Sequence, residues 1–223
     1  MEKTTIAIGD VHGLDLWRDV VDAHPGCRVV FLGDYLDPYG YVHRGKLLDN
    51  LRAIMQLKRD RPEDVVLLLG NHDLHYFCED ACIGTRFDEE IAEAASCMFL
   101  HNIDLFQYAF QDREYLFTHA GVSQEWFECD FCGDASQPVA EQLNHPAADQ
   151  IPALLRVGYA RGGRRRDTGG IFWADESELD EPLHGFIQIV GHNRVEEVTE
   201  RIGPGGGKIV FCDCLRNGLY LEL

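Results

Sequence analysis

The chain has 223 residues and a formal net charge of −18, from 38 acidic and 20 basic side chains. Its hydrophobic share of 45% excludes a disordered chain, and no apolar run approaches the ~20 residues that span a bilayer. Such acidity argues against sequence-independent binding to long DNA or RNA, but leaves phosphorylated substrates open, because bound cations reverse the potential locally.

Residues 4–8 form a β-branched apolar run and read as a buried strand. The run enters Gly9-Asp10-Val11-His12-Gly13, a sharp turn in which Asp10 and His12 leave on the same side and can share one divalent metal. Residues 14–23, with Leu14, Leu16, Trp17, Val20 and Val21, predict a short helix ended by Pro25 and Gly26. A second strand over residues 28–32 completes a β-α-β start, so the first two strands are expected to be parallel. It runs into Gly33-Asp34-Tyr35-Leu36-Asp37, and the loop after it leads to a helix over residues 43–59.

Residues 65–69 predict a third strand that enters Gly70-Asn71-His72-Asp73, and residues 74–102 read as helical with a break near Ile83-Gly84-Thr85. Residues 105–110 and 114–118 alternate about a short turn and predict a hairpin whose second strand delivers His119. Residues 123–158 read as short helices and loops, with an amphipathic piece over 151–157. Arg161, Arg164, Arg165 and Arg166 form a dense basic run, either a solvated loop or a clamp whose guanidinium forks match phosphate. A strand over residues 186–190 enters Gly191-His192-Asn193, and residues 208–213 and 218–223 read as a terminal hairpin of a second sheet.

Five apolar runs thus each end in a potentially ligating residue beside a glycine. In an α/β fold that gathers its strand ends at one edge, those residues converge where such folds place their sites. In this order GDVHG, GDYLD, GNHD, THAG and GHN resemble the motif series of the calcineurin-like metallophosphoesterases. The likeness is greatest to the phosphoprotein-phosphatase branch, which includes serine/threonine phosphatases and diadenosine tetraphosphatases. It spans Gly9 to Asn193.

With no repeat, low-complexity segment or linker, residues 1–223 read as one domain; the resemblance implies an α/β fold, a four-layer α/β/β/α sandwich of two mixed β-sheets flanked by helices. It implies two divalent metal ions, with Asp10 and His12 on the first, Asn71, His119 and His192 on the second, and Asp34 bridging. An oxygen and nitrogen donor set of this kind suits Mn, Fe, Zn or Ni. His72 resembles the family's general acid, and Asp37 the carboxylate that orients it and favours its protonated form. The remaining histidines, His24, His43, His75, His101, His145 and His184, match no motif position and read as structural or surface residues.

Two departures stand out. Pro38 occupies the place of the family's phosphate-binding arginine, so substrate phosphate is held differently or by an arginine from elsewhere, such as Arg161, Arg164, Arg165 or Arg166. Asn193-Arg194 follows His192 where some branches carry a second histidine for the first metal. Trp173 belongs to a segment that resembles one before the last motif in phosphatase relatives; it either lines the pocket or packs, with packing the favoured reading.

The expected activity is metal-dependent phosphoester hydrolysis by a metal-bridging hydroxide, on the pattern of a serine/threonine-phosphatase-like phosphomonoesterase. The alternative is a nucleotide or dinucleoside polyphosphate hydrolase, and a third reading, a non-catalytic scaffold, conflicts with the full motif set. The expected partners are a phosphorylated protein or a small phosphoester or nucleotide, with no long nucleic acid and no membrane. The start of the chain lacks the features of a signal peptide, so a cytoplasmic location with reduced thiols is expected; a zinc site from Cys129, Cys132, Cys212 and Cys214 is the alternative use of the cysteines.

Overall fold

The computed structural model describes residues 3–223. Two five-stranded mixed sheets form its centre. In the first, β1 (Thr5–Ile8), β2 (Arg28–Phe31), β3 (Val65–Leu68) and β4 (Phe106–Gln107) are parallel, and β10 (Leu221–Glu222) joins β1 antiparallel. The second has the order β5-β6-β7-β9-β8, made from β5 (Ala109–Asp112), β6 (Tyr115–Thr118), β7 (Ile187–Arg194), β8 (Thr199–Ile202) and β9 (Lys208–Asp213). Its central β6, β7 and β9 are parallel, with antiparallel strands at both edges.

Side-chain alternation builds the layers. Ala7, Val30, Leu32 and Leu68 point from the first sheet towards Phe117, Ile189 and Val210 of the second. Ile6, Ile8, Val29 and Phe31 point the other way, onto Trp17 of α1 (Trp17–Ala23), Leu51 and Ile54 of α2 (Arg44–Asp60), and Phe99 of α4 (Glu89–Leu100), where α3 is the turn Asn71–Leu74. Strands buried on both faces read as unbroken apolar runs, which is why their sequences were so clear. Burying each large aliphatic or aromatic side chain contributes ~1.5–3 kcal/mol. Behind the second sheet, Val190, Ile209 and Phe211 pack on Ala174 and Leu179, while Leu116 faces Trp126, Phe131 and Leu143 of α5 (Val139–Asn144). The architecture is the expected two-sheet sandwich with flanking helices.

Four local expectations need correction. The tail is no hairpin: β9 lies in the second sheet and β10 in the first. A turn at Leu215–Asn217 and Gly218, at φ +74, redirects the chain between the sheets. The hairpin partner of β9 is β8, a polar and mostly exposed edge strand reached through Gly203-Pro204-Gly205-Gly206. Residues 105–110 split between β4 and β5, and Asn144 Oδ1 accepts from the backbone N–H of Tyr108 and Ala109 at 2.8 and 3.0 Å where the chain changes sheet. Helix occupies only α3 and α4 of residues 74–102, leaving a long loop before Asp88, and only Ile151–Leu154, as α6, of residues 151–157.

The four cysteines do not support a zinc site. Cys129 and Cys132 are exposed, Cys212 and Cys214 are buried, and the metal-competent groups among the described residues contain no cysteine. Among the described residues, no helix is long and apolar enough to cross a membrane.

Candidate metal centre and catalytic pocket

The loops after β1, β2, β3, β6 and within β7 meet at one edge of the sandwich. The first two are laced together by their backbones, with Val11 and His12 N–H both donating to the Asp34 carbonyl, at 3.1 and 2.7 Å. Asp73 fastens the next pair: its carboxylate accepts from the N–H groups of Asp34, Tyr35 and Gly70 at 2.8–2.9 Å. Gly70 is required there, since a Cβ would stand 2.1 Å from Asp34 Oδ1. His12, Asp34, Asp37, Arg86 and His192 all have φ between 43° and 65°. Left-handed backbone at residues with side chains costs ~1–3 kcal/mol each and concentrates at functional sites. Five of the eight such residues described lie here.

Asp10, His12 and Asp34 form one group whose ligating atoms lie within 4.8 Å of one another, and Asp34, His119 and His192 form a second. Asp34 belongs to both. His12 Nε2 is 3.7 Å from a carboxylate oxygen of Asp10 and of Asp34, and His119 Nε2 is 3.5 Å from the other oxygen of Asp34. Asn71 Oδ1 lies 3.0 Å from His119 Nε2 and 2.9 Å from His192 Nδ1.

The tautomers show what this arrangement fits. His12 Nδ1 is 2.8 Å from the Leu36 carbonyl and His119 Nδ1 is 2.7 Å from the Leu32 carbonyl. Each Nδ1 therefore carries the proton, and each Nε2 turns a lone pair towards carboxylate or amide oxygens. Acceptors facing acceptors in a buried space repel unless cations lie between them. Burial, with mutual repulsion among Asp213, Asp34 and Asp73, raises Asp10 and Asp34 well above the carboxylate range. Burial also lowers His12 and His119 to about 3 and pushes His192 down. A neutral-imidazole, multiple-carboxylate set is the donor chemistry that divalent ions require, so these residues fit metal binding.

Beside the two groups, His72 Nδ1 contacts Asp37 Oδ2 at 2.7 Å. Burial would raise Asp37, but contacts from His72, His75 and Tyr76 outweigh it and lower the carboxyl. Asp37 in turn favours the His72 cation as expected, yet burial is the larger effect, and the imidazole lies below its ordinary value. A cavity of about 300 Å³ opens over these groups, lined among others by Asp34, His72, Arg86, Arg161 and Trp173. A neighbouring hollow of about 590 Å³ shares Arg86 in its wall and reaches Asp37.

A family model for the calcineurin-like phosphoesterases matches residues 3–194. The chain belongs to that family. Among solved structures, a protein serine/threonine phosphatase from Saccharomyces cerevisiae with similarity to human phosphatase PP5 aligns at 14% identity and TM-score 0.55, over 94% of this chain and 67% of that one. The cold-active protein-tyrosine phosphatase of a psychrophilic Shewanella species aligns at 17% identity and TM-score 0.59, over 96% of this chain and 72% of that one. Both likenesses concern the fold. No curated protein matches the sequence significantly.

In this metallophosphoesterase the eight residues read as metal or acid–base groups are assembled in one place. Of the basic run only Arg161 reaches the cavity, with Nε 2.8 Å from Asp175 Oδ2; Arg164, Arg165 and Arg166 are exposed and do not line it. Trp173 does more than pack: its ring borders the cavity, edge-on to His192 at 5.9 Å. Sequence reasoning missed three residues. Arg86 lies over Tyr39 at 3.7 Å, with Nη2 3.1 Å from His72 Nε2 and a buried, unpartnered Nε. His75, read as structural, joins the Asp37–His72 group. Arg194 covers Tyr39 at 4.1 Å. The signals were slight: an isolated arginine in a presumed helix, a histidine three residues past the motif, and the residue after GHN.

Proposed function

We propose that this chain is a dinuclear metal-dependent phosphomonoesterase, of serine/threonine-phosphatase-like type. The observation that carries the reading is Asp34, shared by two buried acceptor groups beside a histidine–carboxylate pair. Asp10 and His12 would hold one divalent ion, Asn71, His119 and His192 the other, and Asp34 both. Ions held there would neutralise charge on the phosphoryl oxygens and lower the pKa of an attacking water.

The remaining work falls to the protein. Arg86 and Arg161, both lining the cavity, bind the phosphate oxygens and supply what Pro38 removes. Arg86 Nη2 donates to His72 Nε2 at 3.1 Å. A substrate phosphate is the stronger acceptor, so the arginine shifts to it and frees Nε2 to take up a proton from solvent and pass it to the leaving oxygen. Asp37 fixes the ring through Nδ1 and stabilises the cation that forms. Trp173 and Tyr39 narrow the mouth and limit water.

The test is metal analysis with substrate profiling. Protein loaded with Mn²⁺ should bind two ions per chain and hydrolyse phosphoserine or phosphothreonine peptides faster than nucleotides or dinucleoside polyphosphates. The reverse preference would place the chain with the polyphosphate hydrolases, and two bound ions without hydrolysis of any phosphoester would make it a scaffold.

A further inference from the structure

β9 ends at Asp213, paired with Arg194 beyond the register shift that holds His192 within β7. The strand end meets the first loop backbone to backbone. A Cβ on Gly9 would stand 2.3 Å from the Cys212 carbonyl oxygen and 2.8 Å from Asp213 Cα. The missing side chain at Gly9 lets strand ends of the two sheets touch, and brings the Asp213 carboxyl against that of Asp10. Asp213 is only 5% exposed, and its Oδ2 has no hydrogen-bond partner.

A buried carboxylate next to Asp10 and near Asp34 is unfavourable unless a cation answers it. Arg216 and Arg194 attract the Asp213 carboxylate electrostatically, but neither reaches Oδ2: Arg216 Nη2 lies 3.1 Å from a Glu196 carboxylate oxygen, and Arg194 lies on the ring of Tyr39. Asp213 also borders a cavity of about 190 Å³, lined further by Asp10, His12, Arg216, Tyr39 and Tyr41. Its carboxylate stands outside the close trio of Asp10, His12 and Asp34. The space exceeds the ≈30 Å³ that one water takes in the liquid. Such a placement suits action through an intervening water, not direct ligation.

We propose that Asp213 is a positioning residue of the first cation site, using Oδ2 to hold a water that completes the coordination of an ion on Asp10, His12 and Asp34. The inference rests on the dinuclear reading and adds a residue that no motif marks. It answers the want of a second histidine after His192: the first site draws on the end of β9 where other branches draw on the loop of the last motif. Outer-shell carboxylates raise ligand basicity, and their loss costs ~10–100-fold in metal affinity.

The experiment titrates a chelator against the Mn²⁺-loaded parent and against Asp213→Asn, reading ions per chain by elemental analysis after dialysis. The parent is expected to release one ion before the other, and Asp213→Asn to release that first ion at ~10–100-fold lower chelator activity with the second unchanged. The metal-free variant is expected to melt no lower than the metal-free parent, because a buried repulsion has been removed. Two ions in the parent with the same release curve in the variant would overturn the inference and leave the dinuclear reading standing. Fewer than two ions in the parent would overturn both. Loss of both ions together, with a lower melting temperature without metal, would show Asp213 to be a folding residue and overturn the inference alone.

Discussion

His75 Nε2 lies 2.8 Å from Asp37 Oδ2, the oxygen that also meets His72 Nδ1 at 2.7 Å. The His75 ring receives the Gly84 N–H on Nδ1 at 3.2 Å, so its proton sits on Nε2, towards Asp37. The contact is a close charge–dipole approach, without a hydrogen bond at Nε2. Tyr76 donates its hydroxyl to the other oxygen of Asp37. The contacts are as close as direct hydrogen bonds, so Asp37, His72 and His75 form a network and not a third metal cluster. His75→Ala is expected to lower kcat on alkyl phosphates about tenfold or more, the size of a hydrogen bond to a charged group. The metal content should stay that of the parent, and His75→Gln should recover part of the rate. Parent-like kinetics in His75→Ala would show that Asp37 needs only His72 and Tyr76.

For the acid itself, His72→Ala should keep its metals and lose roughly 10²–10⁴-fold in kcat on phosphoserine peptides. The loss should shrink on p-nitrophenyl phosphate, whose leaving group departs without a proton. Equal losses on both substrates would remove the general-acid role.

Asp34 occurs in both acceptor groups, so Asp34→Asn is expected to bring the protein from two bound ions to fewer than one and to abolish hydrolysis. Elemental analysis reads the first effect without recourse to activity. Two ions retained at near-parent turnover would end the bridging assignment.

Arg86 and Arg161 reach the cavity from separate loops, while Arg164, Arg165 and Arg166 stay outside it. Arg86→Ala and Arg161→Ala should each weaken binding of a phosphate analogue such as vanadate by about 1.5–3 kcal/mol, the range for hydrogen bonds to charged groups. Substitution at Arg164, Arg165 or Arg166 should leave it unchanged. Isothermal titration decides between them, and the opposite pattern would restore the basic run as the clamp.

What the sequence made legible follows from burial. Strands covered on both faces must be apolar throughout, and the polar loops at their ends carry the ligands, so Asp10, Asp34, Asn71, His119 and His192 were all in view. The edge strand β8 was hidden because Thr199-Glu200-Arg201-Ile202 faces water and needs no apolar pattern. Residues 105–110 concealed a change of sheet, because a periodic run shows which side chains are buried but not which neighbour they meet. Arg86, His75 and Asp213 were illegible for another reason. Each acts through a partner distant in sequence or through an unusual backbone angle, and none of them belongs to a repeated pattern.

Those carboxylates and imidazoles also set the dependence of stability on pH. In metal-free protein, burial raises Asp10 and Asp34 well above 3.8, Asp73 to about 7 and Asp213 to about 6. The folded state then holds more protons on them than the unfolded state does, which favours folding at low pH and is lost as pH rises through the folded values. The lowered His12, His119 and His192 act in the opposite sense, but only below about 6.5, where the unfolded imidazoles are still charged. Between pH 4 and 6.5 the two sets oppose each other; above 6.5 the histidines are neutral in both states and the acids act alone. The metal-free protein is therefore expected to melt at lower temperature at pH 8 than at pH 6.5. Cations that bind only the folded carboxylates reverse this, adding stability as RT ln(1 + [L]/Kd) with an affinity that grows as protons leave. Scanning calorimetry with chelator and with excess Mn²⁺ at both pH values should show the cation-induced rise in melting temperature to be larger at pH 8. A rise that is the same at both pH values, or a metal-free protein more stable at pH 8, would mean that these aspartates are already ionised and held by other partners in the fold.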